Sequence, residues 1–192
     1  EVRVSTTPTF SGMDDQTICV GETAALDADA QAVTWSGQPV VDFGDGLALP
    51  DELGVVFTSS ITMSAFQVGQ TLTDVNDIVS VCIDMEHSFM GDFVLQLTSP
   101  TGETMVFHQQ GGGGTYLGIP VDDESQPNAV GTCYTYCFSP TATNGTWVDN
   151  AGGTLPAGTY ESLQPFSNLL GSQLNGTWTI SFTDLFGLDN GF

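Results

Sequence analysis

Alternation of apolar and polar residues, rather than any helical period, organises this chain. In DIVSVCIDM (77–85), Val79, Val81, Ile83 and Met85 alternate with Ile78, Ser80, Cys82 and Asp84; in DFVLQLTS (92–99), Phe93, Leu95 and Leu97 alternate with Val94, Gln96 and Thr98. Strand side chains point to opposite faces in turn, so each run offers one apolar face and one mixed face, as in a half-buried antiparallel strand. The two runs together predict a β-hairpin. Their connector, 86–92, is too long for a two-residue turn and carries two carboxylates, which makes it the first candidate site.

NGTWTISFTD (175–184) predicts another strand, with Trp178, Ile180 and Phe182 on one side and Thr177, Thr179, Ser181 and Thr183 on the other. SSITMSAF (59–66) puts Ile61, Met63 and Ala65 on one face. TMVFHQQ (104–110) is a short strand after a tight turn at 101–103. The glycines 111–114 follow a strand, but GKS or GKT is missing and no base is near, so a phosphate loop is not supported and a flexible surface loop is expected. Residues 115–172 show little periodicity; a stretch of this length is functional or hides short strands. With no amphipathic helix of three turns, the class is all-β.

Residues 1–48 read as a lead-in of short strands with immunoglobulin-like character (EVRVSTTPTF, TICV, TAALDA, AVTWSG), too small to close a sandwich alone. The Gly-, Asp- and Pro-rich stretch 39–54 marks the boundary, giving units 1–48 and 49–192.

Composition narrows the function. The chain has 192 residues, 40% of them hydrophobic, which excludes wholesale disorder. No window approaches the ~18 consecutive apolar residues of a membrane helix. No signal peptide opens the chain; because Glu1 is not a start methionine, a processed product or a piece of something longer is expected. Of the charged residues, 23 are acids and Arg3 is the sole base, for a net charge of −22. Without cations to displace phosphate counterions or to meet anionic lipid, neither nucleic acid nor membrane insertion is expected. The acidic field suits divalent cations, or plain solvation.

Four cysteines, Cys19, Cys82, Cys133 and Cys137, fit no zinc-ribbon spacing and point to disulfides in an oxidising, extracellular setting. Three pairings are open; Cys133–Cys137 and Cys19–Cys82 are the expected ones. Enzymatic machinery is not expected. His87 and His108 are the only histidines, no GxSxG elbow exists, and there is no lysine for a Schiff base. Nor is a carboxylate pair lined by aromatics apparent. Among aromatics that could stack on surface glycans, Trp178 is assigned to the core and Trp147, in TNGTWVDN, is expected to be exposed.

EHSFMGDFVLQLTSPTGETMVF resembles the His…Gly-Asp-Leu…Leu-x-Ser-Pro-x-Gly segment of the P domain that follows the catalytic domain of proprotein convertases. NGTWTISFTDLFGLDNGF resembles its closing Gly-x-Trp-x-Leu…Asp…Asp-x-Gly segment. In character the chain is similar to P-like domains of large secreted bacterial surface proteins. The resemblance implies a jelly-roll-like antiparallel β-sandwich over 49–192 behind a small β-rich N-terminal segment. It also implies a non-catalytic role: a structural or adhesive repeat unit of a surface protein or filament, meeting copies of itself or neighbouring domains. Accessory P domain of a secreted subtilisin-like protease, or carbohydrate-binding module, are the alternatives. The family carries a further strand after the Asp-x-Gly turn, so an open edge beside 177–182, through which units associate, is expected. In a jelly roll, the connector with Glu86 and Asp92 and the loop with Asp184 and Asp189 can meet at one end. These four are the candidate calcium ligands, since calcium takes six to eight oxygens from carboxylates and carbonyls. The alternative is that such aspartates cap turns beside glycines.

Overall fold

The computed structural model describes residues 49, 53–121, 123, 125–126, 129–186 and 191, together with the backbone of 9–11 and 29–31. The latter form an antiparallel pair, β1 (Thr9–Ser11) and β2 (Asp29–Gln31). Otherwise the immunoglobulin-like reading of 1–48 lies outside the described residues, as do Cys19 and Trp35. Nine more strands follow: β3 (Val56–Met63), β4 (Val81–Met85), β5 (Phe93–Thr98), β6 (Thr104–Gln109), β7 (Tyr116–Leu117), β8 (Tyr134–Phe138), β9 (Thr154–Leu155), β10 (Gly158–Tyr160) and β11 (Gly176–Asp184).

They build a four-stranded sheet, β3-β11-β5-β6, and a three-stranded sheet, β10-β8-β4, with β7 and β9 as a separate short pair. The all-β sandwich stands. It is not wholly antiparallel, since β10 runs parallel to β8 and β7 parallel to β9. Residues 139–157 supply the crossover that a parallel pair requires.

The predicted hairpin is corrected. β4 and β5 lie in different sheets, and the connector between them passes from one layer to the other. Val81 and Met85 on β4, and Phe93, Leu95 and Leu97 on β5, are buried on the inner faces of their sheets. Alternation reports that one face is buried; it is the same whether two strands sit side by side or face each other. The expected open edge beside 177–182 is also corrected, because β11 is an inner strand with β3 on one side and β5 on the other. Trp178 and Ile180 pack half-buried against the core and Phe182 is buried, as the alternation required. Ala65 departs from its assigned face: it is exposed beyond the end of β3.

Residues 115–172 hide four short strands, β7 to β10, of which β8, YTYCF, is the centre of the second sheet, where Tyr136 and Phe138 are wholly buried. Phe138 stacks on Phe107 of β6 with ring centroids 4.4 Å apart, joining the two layers. Trp147, expected at the surface, is 1% exposed. It lies 5.0 Å from Phe138, 5.2 Å from Tyr136 and 5.4 Å from His108. Its loop folds inward because two small sheets leave a gap that a large apolar ring fills; truncating such a ring costs about 3–5 kcal/mol. The glycines 111–114 are pinned rather than flexible. Gly91 N donates to Gly113 O at 3.0 Å, and a Cβ on Gly112, at φ +83°, would stand 1.9 Å from Met90 Cε.

The disulfide is Cys82–Cys137, with Cα atoms 4.0 Å apart, which overturns both expected pairings. Cys82 and Cys137 are direct cross-strand partners on β4 and β8. Cys133, four residues before Cys137 along extended chain, lies about 13 Å away, beyond the reach of a disulfide. The bridge closes a 55-residue separation and constrains the unfolded chain. Replacing both cysteines by serine is expected to lower the unfolding free energy by about 2–4 kcal/mol in urea titrations, with the fold retained.

Candidate functional site

The connector 86–92 and the segment after β11 come together at one end of the sandwich. Leu185 N donates to Asp92 O at 2.9 Å. Gly191 bridges Leu49 on one side and His87 on the other, and His87 also exchanges both backbone hydrogen bonds with Leu117 at 3.0 Å. The approach is close: a Cβ on Gly191 would lie 2.5 Å from both Glu86 O and His87 Cδ2, so only glycine fits there.

Consecutive residues on extended chain point opposite ways, and the connector uses this. His87 turns into the core, wholly buried, with Phe93 at 5.0 Å and Phe182 at 5.2 Å between ring centroids. Its Nδ1 lies 3.1 Å from both the N–H and the C=O of Phe89, and its Nε2 is buried with no hydrogen-bond partner. Burial pushes its pKa down to about 4, so the ring is neutral at neutral pH. Glu86 is 1% exposed: Oε1 accepts from Gly131 N at 3.1 Å, while Oε2 is buried without a partner. Burial raises its pKa, opposed by the Gly131 bond.

The other expected ligands are placed differently. Asp92 is half-buried at the end of the connector. Asp184, 1% exposed, accepts from Phe186 N at 3.0 Å through Oδ1, the turn-capping role, and its carbonyl accepts from Gly54 N at 2.7 Å. Asp189 lies outside the described residues. The structure thus places Leu185 and Gly191 against the 86–92 connector. Among the described residues, however, no three His, Cys, Asp or Glu side chains gather closely enough to hold a metal ion. Glu86 Oε2 fits a calcium ligand; the remaining oxygens would have to come from backbone carbonyls or from outside the described residues.

His108 is the residue that sequence reading left without a place. It is 2% exposed, and its Nε2–H donates to Met90 O at 2.8 Å, fastening β6 to the connector; burial lowers its pKa. Its place between Val106 and Gln109 on a strand was the available signal, but the bulge in β6 near Leu95 and Gln96 alters which face it takes.

A two-layer β-sandwich sealed at one end by a buried Glu-His connector and a glycine-tight return is a structural closure rather than a cleft. The family model of the proprotein convertase P-domain matches residues 76–191, more than half of the chain, and includes both segments that meet at this end. The chain belongs to the proprotein convertase P-domain family; in proprotein convertases this domain is a non-catalytic accessory domain. No curated protein and no solved structure matches it. No helix among the described residues is long and apolar enough to cross a membrane.

His87 is neutral in the fold but binds a proton when the chain unfolds below about pH 6.5, so its contribution to stability is present above that pH and is lost as pH falls toward about 4. The full effect is roughly 3 kcal/mol. Urea titrations at descending pH are expected to show this loss for the natural chain and a shallower one for His87→Gln.

Proposed function

We propose that this chain is a non-enzymatic, extracellular β-sandwich module, a structural or adhesive unit of a larger secreted surface protein or filament. Its partners are neighbouring domains of the same polypeptide and other copies of it. The observation that carries the non-catalytic part is the sealing of both histidines: His87 and His108 lie among Phe93, Phe182 and Trp147, where neither reaches a substrate. The Cys82–Cys137 bridge supports an oxidising compartment. Surface glycans are the weaker partner class, because Trp147 belongs to the core. Electron microscopy of the native material is expected to show ordered fibres or a surface layer; dispersed monomers would remove the structural reading.

The family match favours one second reading, an accessory domain of a secreted subtilisin-like protease. Mass spectrometry of the full native polypeptide separates the two, since a catalytic domain on the same chain would establish the protease reading.

Calcium is proposed at the sealed end. Glu86 Oε2 is a buried oxygen without a partner in a chain whose one base is Arg3, and a divalent cation sharing it with backbone carbonyls would relieve that burial. Millimolar calcium is expected to raise the melting temperature and EDTA to lower it by a few degrees; a melting curve indifferent to both removes the ion.

A further inference from the structure

The four-stranded sheet ends on β3, and among the described residues only β11 pairs with it. Natural edge strands are protected by shortness, charge, proline or a bulge. β3 has none of these: it is eight residues long, VFTSSITM, with no ionisable group, no proline and an unbroken register against β11. Val56, Thr58, Ser60 and Thr62 on its outer face are all exposed. Thr58, Ser60 and Thr62 present a row of hydroxyls, which continues onto β11 through Ser60 Oγ to Thr179 Oγ1 at 2.9 Å and Thr62 Oγ1 to Thr177 Oγ1 at 3.1 Å.

We propose that this edge pairs with itself: two copies of the chain join β3 to β3, antiparallel, about a two-fold axis through Ser59, fusing two four-stranded sheets into one of eight. Residues directly opposite in an antiparallel pair share a face, so this axis sets Thr58 against Ser60, Val56 against Thr62 and Phe57 against Ile61. The strand is therefore complementary to its own reverse. Hydroxyl meets hydroxyl at Thr58 and Ser60 outside, apolar meets apolar at Phe57 and Ile61 inside, Ser59 meets its own copy on the axis and only Val56 against Thr62 is mixed; an isologous pair of this kind is the commonest oligomer symmetry. Charge favours the same site. A chain with net charge −22 repels its copies over most approaches, and β3 with the outward positions of β11 offers contact free of carboxylates.

The pairing rests on the proposal that copies of the chain are among its partners, and the test separates the two. Sedimentation equilibrium from about 1 to about 100 μM in ~0.15 M salt is expected to show a monomer–dimer equilibrium that tightens as added salt screens the acidic field. Thr58→Glu with Ser60→Glu sets like charges opposite each other twice across the axis. It should weaken the dimer at least about tenfold with an unchanged melt, these side chains being exposed. Thr58→Lys with Ser60→Glu sets opposite charges across the same contacts and should restore it. A wild-type chain monomeric over the whole range, or a dimer indifferent to both variants, overturns pairing through β3. An indifferent dimer leaves association of copies standing through another surface. A monomer together with fibres in the native material likewise overturns β3 alone, and a monomer without fibres removes both.

Discussion

The packing of aromatic rings between two small sheets is what the remainder of this molecule depends on. The four-stranded and the three-stranded sheet each carry one apolar face, which must be buried against the other. Phe107 against Phe138 ties one layer to the other, and Trp147 enters from a loop to touch Phe93 on one side and Tyr136 and Phe138 on the other. The loop that carries Trp147 is held by its own polar net: Asp149 accepts from Thr146 N at 2.8 Å and Asn150 Nδ2 donates to Asn144 O at 2.7 Å. The irregular region thus contributes the centre of the core.

From that packing follows the character of the closed end. A chain that must pass from one layer to the other at 86–92 carries polar groups into the interior with it. His87 and Glu86 are the consequence, one placed among aromatic rings and the other beneath Gly131, each with an atom left without a hydrogen bond. His108 secures the crossing by donating to Met90 O, and Gly191 closes it where no side chain could enter. These residues position the crossing between the two layers.

The acids are distributed to match. Glu86 and Asp184 are buried at the closed end, while the outer face of β3 and β11 is left to hydroxyls. The outward positions of β3 and β11 thus carry no carboxylate in a chain of net charge −22, so like-charge repulsion is weaker along that edge than elsewhere.

Strand identity and the burial direction of the regular strands were legible in the sequence, because alternation with period two is a local property of the chain; the meeting of the 86–92 connector with the segment after β11 was implied only by the family resemblance. Val81, Leu95, Trp178 and Phe182 face where their alternation put them. Pairing was not legible. Whether β4 joins β5 in one layer or faces it from another, which cysteine meets Cys82, whether Trp147 points in or out, and that β11 lies inside its sheet depend on contacts between residues far apart in the chain. One buried face looks the same in every such arrangement, so only the three-dimensional closure of the two layers decides among them.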